Sequence, residues 1–86
     1  MKKKMEIKEQ IAREIQKIFT TLSKQKKYNR GAYGNLSTNY DEKSGLYHNI
    51  VNATLCNDEE IDNFQIIIVV NKEQTQIVNS YSIAIE

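Results

Sequence analysis

The strongest pattern in the chain is a run of apolar residues from Phe64 to Val70, interrupted only by Gln65. Residues 66–70 are all β-branched, and such side chains are stiff at χ1 and pack well on a pleated surface. The run is shorter than a typical helix and has polar neighbours on both sides, which predicts a strand at about 64–70. Because strand side chains alternate and both sets are apolar here, we expect a central strand that is covered on both faces.

The first third of the chain repeats apolar residues at spacings of three and four. This spacing places one apolar stripe along a helix, made of Ile7, Ile11, Ile15, Ile18, Phe19 and Leu22. Neither Pro nor Gly interrupts the stripe, so a helix is predicted at about 5–27. We expect Gly31 to end it, because glycine readily takes the left-handed conformation that follows many helices.

Three more strands are predicted from shorter alternations, at about 32–40, 46–55 and 75–85. A hairpin loop is expected at 41–45 and an acidic loop at 56–62. Short connections favour an antiparallel meander. The predicted fold class is therefore α+β, with one N-terminal amphipathic helix packed on a four-stranded antiparallel meander sheet (α-β-β-β-β), and residues 1–86 form a single domain.

A single helix can cover only one face of such a sheet, so the sequence predicts an apolar patch on the other face. Alternation assigns Tyr81 to the helix side, and it assigns to the other face Ile67, Val69 and Val78, with Leu46, Ile50 and Tyr33. The interface candidates among them are Ile50, Ile67, Val69 and Val78. Asn79 breaks the pattern of the last strand, which indicates a bulge. Apolar patches of this kind are usually covered by another molecule. A twofold homodimer packed sheet on sheet is the simplest arrangement, and a different protein partner is the alternative.

The charges are unevenly distributed, although the net charge is only +1. Residues 1–30 hold ten basic and three acidic residues, whereas residues 31–86 hold two basic and eight acidic residues. Cations can meet phosphates and tyrosine can stack on bases, so nucleic-acid binding by the helix end at 24–33 is the second hypothesis. Its candidate contact residues are Lys24, Lys26, Lys27, Arg30 and Tyr33. Against it, lysines near a helix C-terminus already have a structural reason.

The chain offers few residues for catalysis. His48 and Cys56 are each the single residue of their type, and eight residues of extended strand separate them by about 26 Å, too far for a nucleophilic pair. Neither a four-ligand zinc site nor an EF-hand calcium loop can be assembled from the residue pattern. A small metal-independent ribonuclease is a third hypothesis that rests on architecture alone, with Arg30, Tyr33, Tyr47 and His48 as its candidates.

The single cysteine excludes an intramolecular disulfide, which fits a reducing cytoplasm. No apolar run approaches the length of a membrane span. Frequent Lys, Asn and Ile are typical of an AT-rich bacterial or phage genome. The sequence therefore predicts a cytoplasmic, non-catalytic protein-binding module that dimerises or docks through the sheet face opposite the helix, without cofactor, metal or membrane. An accessory or inhibitor protein of a bacterial mobile element would suit its size.

Overall fold

The computed structural model describes residues 6–85 and confirms the predicted fold. Helix α1 (Ile7–Ser23) is followed by strands β1 (Arg30–Asp41), β2 (Leu46–Cys56), β3 (Ile61–Val70) and β4 (Ile77–Ile85). The strands form one antiparallel sheet in the order β1-β2-β3-β4, so β3 is an interior strand. Within the described residues, no helix is long and apolar enough to cross a membrane.

The core lies between α1 and one face of the sheet, which we call the helix face. Its buried residues alternate along β2 and β3 and meet the apolar stripe of the helix: Ile15, Leu22, Val51, Ala53, Leu55, Ile66, Ile68 and Val70. The helix packs mainly against β3 and β4. As a result, β1 is exposed along almost its whole length.

The helix ends earlier than predicted. Its last residue is Ser23, and Lys27 (φ +53°) takes the left-handed conformation that we expected at Gly31. Gly31 instead lies within β1, where a Cβ would come within 2.5 Å of Leu55 Cδ2 and 2.9 Å of Phe19 Cζ. Glycine is therefore required at this position by close packing and not by a turn. The predicted helix start at residue 5 lies outside the described residues.

A bulge in β4 changes the face on which the end of this strand presents its side chains. Ile77 pairs with Val70 and packs against the core, whereas Tyr81 pairs with Ile67. Val70 and Ile67 are three residues apart in β3 and therefore point to opposite faces, so their partners Ile77 and Tyr81 also point to opposite faces. The prediction that Tyr81 lies on the helix side is therefore wrong, because one extra residue near Val78 inverts the alternation that follows it.

A second bulge interrupts β1, where the register with β2 shifts between Gly34 and Ser37. Asn35 has a positive φ of 58° at this point. Asparagine tolerates this left-handed conformation better than most residues. The bulge keeps residues on either side of it paired with β2, with Gly34 opposite Asn52 and Ser37 opposite Ile50.

Candidate functional site

The sheet face opposite α1, which we call the open face, has no second helix over it among the described residues. Residues that are paired across antiparallel strands point to the same face, so the register defines rows of side chains that run from β1 to β4. Four rows cross the open face: Ala32–Thr54–Asn63–Ile85, Gly34–Asn52–Gln65–Ile83, Ser37–Ile50–Ile67–Tyr81 and Asn39–His48–Val69–Asn79.

The open face is depleted of charge, although 27% of the chain is charged. Among the described residues on this face, the only Lys, Arg, Asp or Glu side chains are Arg30 and Asp41, which lie at the two ends of β1. The other polar groups are mostly amides and hydroxyls. Two cross-strand hydrogen bonds link them: Thr54 Oγ1 to Asn63 Oδ1 at 2.8 Å and Gln65 Nε2 to Asn52 Oδ1 at 3.5 Å. Such charge depletion is typical of the centre of a protein–protein interface.

The four residues that the sequence assigned to an interface differ in their accessibility. Ile50, Ile67 and Val69 do lie on the open face, but Ile50 is half-buried and the other two are only 4% exposed. They occupy the interior strands, where neighbouring strands shield them on both sides. Val78 lies at the bulge of β4 and is 49% exposed.

Among the four rows of the open face, the exposed large apolar side chains belong to the edge strand β4. Tyr81, Ile83 and Ile85 are 44%, 49% and 42% exposed. The strand contains no charged residue and no proline, two of the features that protect a sheet edge from other chains, and its bulge at Val78 lies near the start of the strand. Alternation counted through position 79 placed these three residues on the helix side, although the polar Asn79 had indicated a bulge there.

One of the residues proposed for nucleic-acid contact, Lys26, lies beside the acidic loop. Lys26 Nζ is 3.2 Å from Glu60 Oε2 and 3.6 Å from Asp62 Oδ2, and Asn57 Nδ2 donates to the backbone carbonyl of Lys26 at 3.1 Å. Residues 24–30 carry four cations and residues 58–62 carry four carboxylates, so their formal charges cancel. Nucleic-acid binding depends on an excess of positive charge. The hypothesis stays a prediction, and the ion pairs of Lys26 reduce the positive charge on which it depends.

Tyr28 belongs to the same cluster, because its hydroxyl donates a hydrogen bond to the Asp62 carboxylate. This bond, aided by the nearby Lys26 ammonium, lowers the pKa of Asp62, and it raises the pKa of Tyr28. The hydrogen bond to Glu60 and the charge of Asp62 raise the pKa of Lys26. Each shift favours the protonation state present at neutral pH. The cluster therefore fastens the segment after α1 to the start of β3.

The sign of each shift gives the pH range in which the cluster stabilises the fold. The contribution of Asp62, whose folded pKa is lowered, is present above its unfolded pKa and is lost as pH falls through the folded value. The contributions of Tyr28 and Lys26, whose folded pKa values are raised, are present below their unfolded pKa values and are lost as pH rises through the folded ones. All three contributions are therefore present around neutral pH.

Replacing Tyr28 by Phe is expected to raise the pKa of Asp62 towards its ordinary value, because the hydrogen bond is the largest cause of the shift. Carbon-detected NMR titration of the Asp62 carboxyl measures this directly. The Tyr33→Phe variant is the matched control, since Tyr33 pairs with Ala53 and contacts Phe19 instead. An Asp62 that titrates at the same pH in both variants would contradict the assignment.

The structure does not bring together the residues proposed for a ribonuclease. Arg30 and His48 lie near opposite ends of the open face, whereas Tyr33 and Tyr47 lie on the helix face. Within residues 6–85, no group of three or more His, Cys, Asp or Glu side chains is placed to hold a metal ion. These four candidates are therefore not placed to form an acid–base pair at one point.

A second apolar surface is the groove between α1 and β1. It has a volume of about 280 Å³, and Leu36 at its rim is 57% exposed. The groove exists because α1 lies towards the other edge of the sheet, over β3 and β4. Its apolar lining consists of Ile11, Ala12, Ile15, Tyr33, Leu36 and Val51. This groove is an apolar surface on the opposite side of the sheet from the open face, so variants made there are controls for variants of the open face.

Comparison of the chain with protein-family models, with curated proteins and with solved structures finds no match. Of the surfaces of the fold, the open face combines exposed apolar side chains, neutral polar groups and an edge strand without charged residues or proline.

Proposed function

We propose that this protein is a non-catalytic interaction module that dimerises or docks on another protein through the open face. The observation that carries the proposal is the exposure of Tyr81, Ile83 and Ile85 on a sheet face whose charged side chains, among residues 6–85, lie only at its margin. A surface that had evolved only to face water would be expected to carry charges among its polar residues. The open face has the composition of an interface instead.

Covering the exposed apolar side chains of this face would favour association. Complete burial of a side chain such as Ile contributes about 1.5–3 kcal/mol, so covering a half-exposed one contributes roughly 1 kcal/mol. Tyrosine is also among the residues most often found to dominate binding. The interior residues Ile50, Ile67 and Val69 lie on the same face but are less exposed than the apolar residues of β4. The exposed residues of β4 would therefore form most of the contact.

A cytoplasmic location goes with this proposal, because Cys56 is unpaired and only partly buried and free thiols persist in reducing compartments. Size and composition support a role as an accessory or inhibitor protein in a bacterium or phage. In such a role the domain acts by occupying a surface and requires no catalytic group.

The Ile83→Asp substitution is expected to abolish association and to leave the monomer folded, since it places a charge at an exposed position of the open face. Light scattering after size exclusion, at several concentrations, gives the mass of the wild type and of the variant. Ile67 is unsuitable for this test, because a carboxylate at a position only 4% exposed would also destabilise the strand.

The Leu36→Asp variant is the matched control, because it makes the same kind of change at an exposed apolar position on the helix side. The proposal predicts association of the wild type and of Leu36→Asp but not of Ile83→Asp. Loss of association in Leu36→Asp alone would assign binding to the groove between α1 and β1. That result would contradict a role of the open face.

A further inference from the structure

We infer that the open face binds a second copy of this chain, sheet on sheet, about a twofold axis that runs parallel to the strands. The inference rests on the proposed function and deepens it by naming the partner and its orientation. It is carried by a gradient of side-chain size across the open face. In three consecutive rows the residue on β1 is small and the residue on β4 is large: Ala32 and Ile85, Gly34 and Ile83, Ser37 and Tyr81.

A twofold axis parallel to the strands, placed between β2 and β3, brings each row of one copy over the same row of the other copy, with the order of the strands reversed. The β4 edge of one copy then lies over the β1 edge of the other. The large side chain of Tyr81 lies over Ser37 of the second copy, and Ile83 lies over Gly34. Every large residue at one edge therefore meets a small one, and the face is complementary to itself in shape.

The interior strands match in chemistry under the same rotation. Ile50 of one copy lies over Ile67 of the other, which continues the apolar centre. In the next row Asn52 lies over Gln65 of the second copy. Primary amides carry two donor hydrogens and two acceptor lone pairs. The single weak bond between these amides within one chain, at 3.5 Å, therefore leaves capacity for bonds between copies.

The other in-plane axis, perpendicular to the strands, gives a poorer match. It places β4 over β4 and β1 over β1. Tyr81 and Ile83 then meet the same large residues of the second copy, while Gly34 and Ser37 face each other across a gap. Interfaces pack at the density of protein interiors, so this orientation is disfavoured by both overlap and void.

Gly34 marks the depression into which Ile83 fits. A Cβ placed on Gly34 has no other heavy atom within 4 Å. In one copy, the space above this residue is therefore empty and apolar side chains from another molecule can enter it. Glycine in a strand often marks such a close approach of a second surface.

The size of the face suits a dimer. Four strands spaced about 4.8 Å apart and some ten residues long measure roughly 19 by 33 Å, or about 600 Å² in plan. Protruding side chains increase the accessible area, and stable interfaces bury about 800 Å² on each partner. A domain of 86 residues also has a modest core of its own and gains from association.

Cross-linking of mixed variants tests the orientation. Gly34→Cys and Ile83→Cys are made in separate chains, each with Cys56→Ala, and treated with a bis-maleimide of about 10 Å reach, the spacing of packed sheets. The mixture of the two variants is expected to give a covalent dimer. Each variant alone is expected to give none, because its two thiols lie at opposite edges, roughly 14 Å apart in addition to the sheet spacing.

The outcomes separate this inference from the proposed function. Cross-linking of each variant with itself would assign the perpendicular axis, and cross-linking of Ile83→Cys alone would assign edge-to-edge pairing of β4. Both results overturn the orientation, and edge pairing also removes the open face from the interface. A wild-type chain that stays monomeric by light scattering overturns the second copy as the partner.

The Gly34→Phe variant provides an independent test. A Cβ at Gly34 meets no neighbouring atom within 4 Å and the position faces solvent in the monomer, so the circular dichroism and thermal transition should persist at low concentration. The added ring fills the depression that receives Ile83, and the dissociation constant of the dimer should rise on the order of tenfold or more. Unchanged dimerisation of a folded Gly34→Phe variant would overturn the inference.

Discussion

Replacement of Ile68 by Ala will lower the free energy of unfolding by about 2–5 kcal/mol, the usual cost of an emptied core site. Ile68 has no exposed surface and lies in the interior strand β3 beneath α1. A domain of 86 residues has roughly 4–13 kcal/mol of stability in total. The substitution therefore removes a large part of it, and urea unfolding followed by circular dichroism measures the loss.

The Leu36→Ala variant controls for the removal of the same kind of side chain at a surface. Leu36 is 57% exposed, so its truncation should cost only a fraction of the loss at Ile68. Equal losses in the two variants would mean that α1 does not cover the sheet as described. A loss confined to Ile68→Ala supports a core between α1 and β3.

Two glycines of β1 are expected to respond in opposite directions to substitution by valine. At Gly31 a Cβ lies 2.5 Å from Leu55 Cδ2 and 3.0 Å from the Thr54 carbonyl oxygen, so Gly31→Val should destabilise the fold by about 1–3 kcal/mol or more. At Gly34 a Cβ meets no atom within 4 Å, and a β-branched residue favours a strand. Gly34→Val should therefore stabilise the monomer by up to about 1 kcal/mol.

Chemical unfolding at a protein concentration low enough to keep the chain monomeric compares these two variants. Both positions lie in the exposed strand β1, three residues apart. The two variants therefore differ mainly in the atoms that surround the new side chain. Destabilisation of both variants to the same extent would contradict the packing of Phe19 and Leu55 over Gly31. It would also contradict the empty space above Gly34.

The fold was predictable from the sequence because its main signals are long and consistent. The apolar run at 66–70 is buried best in a strand that has neighbours on both sides. The apolar stripe of the helix from Ile7 to Leu22 is buried when the helix packs on a sheet. Short loops then left an antiparallel meander as the simplest topology. These are local patterns, and the structure follows them.

The orientation of β4 was not predictable in the same way. Side chains alternate with a period of two, so one extra residue sends every later side chain to the opposite face. The bulge near Val78 has this effect, and it moves Tyr81, Ile83 and Ile85 to the open face. The sequence hints at the bulge through Asn79, but which of the flanking residues is the extra one depends on pairing with β3.

The roles of two other segments depend on contacts between distant parts of the chain. The conformational preference of glycine favours Gly31 as the end of the helix. In the structure Gly31 lies in β1, where Phe19 and Leu55 leave no space for a side chain. The acidic loop lies 30 residues or more beyond Lys26 in sequence. Its contacts with Lys26 form only when the β2–β3 hairpin brings the loop to the end of the helix. Such long-range pairings decide which charges remain free.

The central claim, that the open face is covered in solution, is tested most directly by chemical modification of tyrosine. Tyr33, Tyr40 and Tyr81 are 43%, 43% and 44% exposed in the isolated chain, but only Tyr81 lies on the open face. At protein concentrations above the dissociation constant of the dimer, mass spectrometry should find Tyr81 modified much more slowly than Tyr33 and Tyr40. Dilution below that concentration should abolish the difference. Equal rates for all three tyrosines at every concentration would contradict the claim.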